Sequence, residues 1–528
     1  MLTFWAFFAT PVFGETVVFF TLFGAVLSVV GLLWKGSVPR ATVRQLAIPF
    51  GLWILGSAFL VFLGFAHGGA DHALSTAATR FSAGPLPSDN DIPHFFTEWV
   101  YANGHRGTPP VYPGEWLLSD RPPLQIGYML AQRPLLWNAN LLDYQLIGVM
   151  LQQLWIVAVW ALLLAFRIGR VTRVLIVGTL LCSDLAITNG FFIWPKMLPA
   201  AMLIAVAALV VSPLWPEVRR SLWGAALVAA LLGLALLGHG ASIFGAIPIA
   251  IIAAYRGLPS ARWIGVGLLV GIACMAPWSA YQRYKDPPGN RLTKWMLAGV
   301  VEIDGRGTRE AIFDSYGEAG LGGTLHNKAE NFVTMAGSGP FVDSADRAIG
   351  AVGDGDWGFG LRELRTILFF YFLPSLGLLL LAPVLMAAAW RCGRRSQPDW
   401  GFSLTCWSIV VIGCLFWGLI LFGNGQSRAV LHVGSFALPL LAFVACVSGL
   451  RATFPRFAVY YCCVAAVVML AVYIPALGTE EGTRYSVIAL ALSGLSLLAF
   501  ILVALRATPP GPSPTAIQPG SQGLARPQ

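Results

Sequence analysis

The sequence predicts an all-α polytopic membrane protein of about 13 transmembrane helices, with two long outer loops forming a small extramembrane layer. Three observations carry this. Of 528 residues, 57% are hydrophobic and 11% charged, where soluble domains carry roughly 25% charge. No water-soluble packing hides that much apolar surface, because polar groups must cover much of the exterior even of large domains; a disordered chain would lack the apolar content. Apolar runs of about 17–25 residues, long enough to cross the hydrocarbon core as helices, recur along the chain. Basic residues then mark every second connection between those runs.

Taken in order, the candidate spans fall near 15–34, 46–66, 145–166, 172–190, 197–214, 221–239, 243–255, 263–282, 366–390, 402–422, 431–450, 457–475 and 486–505, with 243–255 the shortest. If the first connection, with Lys35, Arg40 and Arg44, is cytoplasmic, every second connection should be basic too. Those connections hold Arg167, Arg170 and Arg173; Arg219 and Arg220; Arg256 and Arg262; Arg391, Arg394 and Arg395; and Arg451 and Arg456, while the tail adds Arg506 and Arg526. The alternation puts the N-terminus outside and the C-terminus in the cytoplasm. No basic segment precedes the first span, so a cleaved signal peptide is not expected. Connections 67–144 and 283–365 fall on the outer face, and loops of that length are usually functional. Residues 1–505 therefore read as one transmembrane domain including both loops. Residues 506–528, rich in Pro, Gly and Ser, read as a disordered cytoplasmic tail.

Charge and cysteine narrow the chemistry. Of the 34 Lys and Arg, 17 lie on the inner connections, against Glu217 and Asp399 alone among the 25 acids. The net charge of +9 is thus a topology signal and not a nucleic-acid surface, and it conceals a mildly acidic outer side. None of the eight cysteines lies in the long outer loops, so no disulfide is expected there, and no Cys/His spacing resembles a zinc site. No P-loop or dinucleotide fingerprint is present.

The most informative stretch runs from Ser88 to Gly104. Its apolar residues at 92, 95, 96, 99 and 100 form the stripe of an amphipathic helix. Asp91 suits the N-cap, Pro93 the first turn, and Asn103-Gly104 the stop. Phe95, Phe96 and Trp99 suit a helix lying flat at the membrane boundary. Asp89 and Asp91 then sit at its start, where the helix dipole favours a carboxylate. Either Asp91 merely caps the helix and Asp89 shapes a turn, or the pair acts as base, hydroxyl acceptor or metal ligand. Further on comes Ser119-Asp120-Arg121-Pro122-Pro123-Leu124. The prolines fix the backbone, so Arg121 is either a pre-aimed phosphate ligand or half of a solvated pair with Asp120.

This combination of paired acids, an Arg-Pro-Pro-Leu turn and a helical bundle resembles the GT-C membrane glycosyltransferases. The likeness is to the branch of the protein O-mannosyltransferases and the lipid A aminoarabinose transferases, and is clearest over residues 85–215. The resemblance implies a GT-C-like fold in a bacterial cytoplasmic (inner) membrane. It implies transfer of a sugar from a polyprenyl-phosphate carrier to a lipid, glycan or protein acceptor on the outer face, with membrane lipids around it and no nucleic-acid partner. Asp89 and Asp91 match the family's acidic pair, one of them the base, and Arg121 matches its phosphate ligand, with Pro122, Pro123 and Leu124 completing the motif. The chain departs from the pattern after the next helix pair, where Lys196, outward-facing, stands in place of an acid as a further phosphate ligand. That departure leaves the metal site open: no cofactor is required, and a divalent cation remains compatible.

Several residues extend this set. Arg428, in a short late connection with His432, and Arg283, in a basic collar with Lys285, Arg291 and Lys294, either reach an anionic headgroup or anchor helix ends. His94 either assists the acids or is a solvated surface residue. Asp184 lies inside a span, where charge is rare. Two other classes stay in view. O-antigen ligases or polymerases favour late-loop Arg and His, and transporters predict broken spans with intramembrane charges.

Overall fold

The computed structural model describes residues 1–35, 39–68, 90–113, 116–136, 141–366, 372–391, 398–423, 435–473 and 486–507. Among them the fold is all helical, with a single isolated bridge between Tyr112 and Trp116. The first half comprises α1 (Leu2–Ala9), α2 (Pro11–Trp34), α3 (Arg40–Gly68), α4 (Ile92–Asn103), α5 (Leu124–Gln132), α6 (Leu141–Gln152), α7 (Trp155–Ala165), α8 (Arg170–Leu181), α9 (Asp184–Phe191) and α10 (Met197–Val210). There follow α11 (Leu222–Gly238), α12 (Ile243–Tyr255), α13 (Ala261–Tyr284), α14 (Arg291–Ala298), α15 (Thr308–Ala336), α16 (Ser338–Gly353) and α17 (Trp357–Thr366). The chain closes with α18 (Ala382–Arg391), α19 (Pro398–Ile420), α20 (Ala437–Thr453), α21 (Pro455–Tyr473) and α22 (Val487–Arg506).

Among the described residues, six helical segments are long and apolar enough to cross a membrane: Pro11–Trp34, Gln45–Ala66, Leu141–Ala165, Ala261–Tyr284, Asp399–Ile420 and Val487–Arg506. A seventh is the pair α8 and α9, bent by 50° at Cys182–Ser183. The predicted span 172–190 is thus broken, and Asp184 opens its second half instead of lying inside one helix. The other predicted spans fall on apolar helices of 10–17 residues: α10, α11, Gly240–Tyr255, Ser375–Ala388, α20 and Pro455–Ala471.

Burial sorts these helices. In α10 and α20 buried residues occur on every face, as expected of helices apolar all round that others enclose. They pack with α7, α8, α11 and α12 in one large apolar core. The opposite case is α2, whose Phe19, Phe20, Phe23 and Leu33 are exposed, a surface suited to lipid.

A second cluster stands at one end of the bundle. Phe4 and Phe7 of α1, Phe96 of α4, Leu118, Leu124 of α5 and Trp278 and Tyr281 of α13 are all buried in it. The N-terminal helix and the first long loop therefore share one end. The apolar stripe of α4 is spent on this cluster: Ile92, Phe96 and Val100 are buried, with Phe95 and Trp99 half-buried, so the helix packs on protein along the face expected to lie on the membrane. The second long connection, expected over 283–365, is built as α14 to α17.

The arginine-bearing connections meet at the other end. The Thr172 hydroxyl donates to Asp399 at 3.0 Å, Arg256 donates to Thr405 at 3.0 Å, and the Trp215 and Trp263 indoles donate to Gly257 and Val218 carbonyls at 2.9 and 3.1 Å. Cysteines at the exposed positions Arg106→Cys and Arg309→Cys, in a Cys463→Ser background, should react with a membrane-impermeant thiol reagent from one side, and Arg262→Cys from the other. Labelling of positions 106 and 262 from the same side would contradict this arrangement.

Candidate functional site

Local sequence fixes the start of α4 much as predicted, with one difference. Asp91 occupies the N-cap position, Pro93 the first turn, and Gly104 ends the helix at φ 58°, a left-handed geometry that glycine adopts without strain. Yet the Asp91 side chain makes no capping hydrogen bond. It is exposed and accepts from Asn90 Nδ2 at 3.3 Å. A carboxylate not consumed by capping is left for other work.

The neighbouring Asn90 joins α4 to the rest of the site. Its Oδ1 accepts from the Ile193 backbone N–H at 2.9 Å, and its carbonyl accepts from the Tyr144 hydroxyl at 2.9 Å. The Ile193 carbonyl accepts from Gln125 Nε2 at 2.6 Å and from Gln152 Nε2 at 3.4 Å. Gln152 Oε1 then accepts the Met197 and Leu198 N–H groups at 3.0 and 3.2 Å, capping α10 from another helix. Asn90, Gln125 and Gln152 are all buried. Gly148 lets this turn approach α6, since a Cβ there would stand 2.7 Å from Ile193. The backbone of one residue, Ile193, thus ties the Asp91 helix start to the helix that follows Arg121-Pro-Pro, and Gln152 extends the link to the helix after Lys196.

The Ser119–Leu124 motif is held from behind. Asp120 is 3% exposed, and its Oδ2 accepts from Leu117 N at 3.0 Å and Arg291 Nη1 at 3.1 Å. Asp286 Oδ2 accepts from Ser119 N at 2.7 Å, and Gln282 donates to the Ser119 carbonyl at 2.9 Å. Burial pushes the Asp120 carboxyl above its ordinary range, opposed by the Leu117 N–H and the charges of Arg291 and Arg121. The solvated Asp120–Arg121 pair is therefore not what forms: the acid turns inward to Arg291. Arg121 lies with its guanidinium carbon 4.1 Å from the Trp116 ring centre, and Arg291 lies 5.1 Å from the same ring. Arg121 itself is extended (φ −116°, ψ 101°), Pro122 is half-buried, and buried Pro123 begins α5.

Lys196, expected to face outward, is 5% exposed. Its ammonium stands 4.3 Å from the Trp194 ring centre and 5.8 Å from that of Phe436, two aromatic faces that attract a cation without neutralising it. The collar also divides. Arg283 is exposed, 5.7 Å from the Tyr284 ring, whereas Arg291 and Lys294 are buried against Asp120 and Asp304. Asp89, Arg428 and His432 lie outside the described residues.

His94 is not a solvated surface residue. It is half-buried, its ring 4.9 Å from that of Tyr144. It lines a recess of about 20 Å³ with Glu98, Arg133 and Tyr144, room for about one water. Arg133 grips Glu98 through Nε and Nη2 at 2.9–3.1 Å. Burial lowers the His94 pKa, against the opposing charges of Glu98 and Asp91. Among the described residues, no group of three His, Cys, Asp or Glu side chains is placed to hold a metal ion.

The predicted motifs are brought together by Arg291 of the basic collar and chiefly by residues the sequence reading passed over: Asn90, Trp116, Gln125, Gln152 and Asp286. A signal existed for one of them, since Gln152-Gln153 interrupts an apolar run where an amide needs a buried partner. No protein-family model, curated protein or solved structure matches the chain. The site is therefore read from its geometry.

Arg291→Leu should strand the Asp120 carboxylate and cost about 3–5 kcal/mol, with Arg291→Lys recovering part of it, as read from thermal midpoints in detergent. A native midpoint for Arg291→Leu would show the pair to be dispensable. Since folding lowers the His94 pKa, its contribution is present above about pH 6.5 and is lost as pH falls through the folded value, because the unfolded chain then binds the proton more readily. His94→Gln should flatten the fall of the midpoint below pH 6.5; an unchanged slope would remove His94 from the pH response.

Proposed function

We propose that this chain is a membrane glycosyltransferase that moves a sugar from a polyprenyl-phosphate carrier to a lipid, glycan or protein acceptor on the outer face of a bacterial cytoplasmic membrane. The observation that supports the reading is the hydrogen-bonded turn at Ile193, whose partners Asn90, Gln125 and Gln152 hold the segments that carry Asp91, Arg121 and Lys196. Transfer requires these parts. Asp91, with Asp89 beside it in sequence, takes the proton of the acceptor hydroxyl as its oxygen bonds to the anomeric carbon. The bond from that carbon to the carrier phosphate breaks, and Arg121 and Lys196 hold the charge left on the phosphate. The sugar's own leaving group supplies the driving chemistry, so no nucleotide is needed. On this reading all 13 apolar segments cross the membrane with the N-terminus outside, and residues 67–144 and 283–365 form an outer layer, pinned by Asp120–Arg291, over the cleft.

A transporter is the second reading, favoured by one observation. The break between α8 and α9 places Asp184, 2% exposed, at a helix start. Opposite stands Gly377, non-helical at φ 53°, where a Cβ would lie 3.7 Å from Asp184 Oδ2. Broken helices meeting around a buried acid also serve transport.

Proteoliposomes supplied with a labelled polyprenyl-phosphate sugar and membrane acceptors separate the two. Asp91→Asn or Asp89→Asn should lower transfer at least about 100-fold, and Arg121→Gln should lower it while leaving the protein inserted. Full transfer in both acid variants would sink the glycosyltransferase assignment. Solute uptake abolished by Asp184→Asn, with no sugar transfer by the unmodified chain, would establish the transporter.

A further inference from the structure

Buried charge in proteins is almost always paired, and at the arginine-bearing end of the bundle one side chain breaks that rule. Arg173, in the first turn of α8, is 1% exposed. Its guanidinium carbon lies 5.0 Å from the Trp160 ring centre. Nε, Nη1 and Nη2 are all buried without a hydrogen-bond partner. The indole face attracts the cation but accepts none of the five N–H groups in its plane.

The backbone around it asks for the same thing. The N-cap of α8 is Gly169, no side chain caps the helix, and its first turn carries no acid. The leading N–H groups of a helix point out of it and favour an anion. Just upstream, exposed Arg167 adopts φ 56°, a conformation that glycine takes without strain and that arginine rarely does. Arg170 is exposed at the helix start.

The chain has little of its own to offer as counter-ion. Of the acids on the connections of this end, Asp399 accepts from the Thr172 hydroxyl at 3.0 Å, and Glu217 sits in the turn Trp215–Val218. The sequence stretches 36–38, 392–397 and 508–528 contain neither Asp nor Glu. An anion from outside the chain would meet these groups at the first turn of a helix that, with α9, is apolar enough to cross a membrane, the depth at which a lipid headgroup lies.

We propose that the start of α8 binds the phosphate of an anionic phospholipid. Arg167 and Arg170 stand at the mouth of the site, and the Arg173 guanidinium meets the phosphate by a rotamer change away from Trp160. Basic pockets between membrane helices bind headgroups by this chemistry, and a planar fork takes two phosphate oxygens at once.

The full chain in neutral detergent would be titrated separately with phosphatidylglycerol, phosphatidylcholine and inorganic phosphate. Retained lipid is read by native mass spectrometry, and stability by the thermal midpoint. Phosphatidylglycerol should stay bound and raise the midpoint, with Arg173→Gln and Arg170→Gln each weakening it roughly tenfold and Arg309→Gln, at the other end, leaving it unchanged. Should Arg173→Gln fail to fold, exposed Arg170 carries the test. Equal retention of phosphatidylcholine, an equal effect of inorganic phosphate, or unaltered phosphatidylglycerol binding in Arg170→Gln would each overturn the proposal.

Discussion

The helix start at Asp91, the helix that follows Arg121 and the helix that follows Lys196 are joined through the backbone of one residue, Ile193. The Ile193 N–H and carbonyl are satisfied by side-chain amides from three different segments, in surroundings where an unmet hydrogen bond costs about 1–3 kcal/mol. Asn90 lies next to Asp91, Gln125 four residues beyond Arg121, and Gln152 caps the helix that follows Lys196. Water does not reach these amides, so each can be satisfied in one arrangement alone. An apolar core tolerates many packings of similar volume, whereas a closed amide network specifies a single geometry. Reactive groups built on the apolar core alone would inherit its tolerance.

The ion pair between Asp120 and Arg291 works one layer further out. A buried pair adds little to stability compared with apolar residues of the same shape, but losing one partner is expensive. Its effect here is to join residues 171 positions apart in sequence. Trp116 completes the arrangement, its ring centre 4.1 Å from the Arg121 guanidinium carbon and 5.1 Å from that of Arg291. Aromatic faces recur beside cations among the described residues, at Lys196 and at Arg173 as at Arg121.

Local features were legible in the sequence because their causes are local. The α4 helix follows from its stripe, Pro93 and Gly104, and the apolar segments follow from hydropathy. What sequence spacing could not show were partners set by the packing of distant segments. Asp120 was matched with the adjacent Arg121, but α14 brings Arg291 to it. The burial of Lys196 was not legible because Phe436, 240 positions later, does not figure in any local pattern. His94 read as solvated because the recess is made by α5 and α6. The span at 172–190 read as continuous since neither Gly nor Pro marks the bend; Ser183 caps a new helix there by accepting from Ala186 N. The helices of the second long connection were open to the same reading as α4, since α14, α16 and α17 are amphipathic, but its scattered acids drew the reading to a loop.

The exposure of α2 has a mechanical side. Its 24 residues extend about 36 Å at 1.5 Å per residue, longer than a hydrocarbon core of about 30 Å. It is tied to the chain at its first turns, by the Thr10 cap and the hydrogen bond from Tyr101 to Glu15 at 2.7 Å, while the surface beyond faces outward. A helix longer than the hydrocarbon core is accommodated by tilting, kinking or local thickening of the bilayer. Tyr101, the partner of Glu15, belongs to the same helix as the start at Asp91, so the anchored turn of α2 and the exposed carboxylate stand at opposite ends of α4.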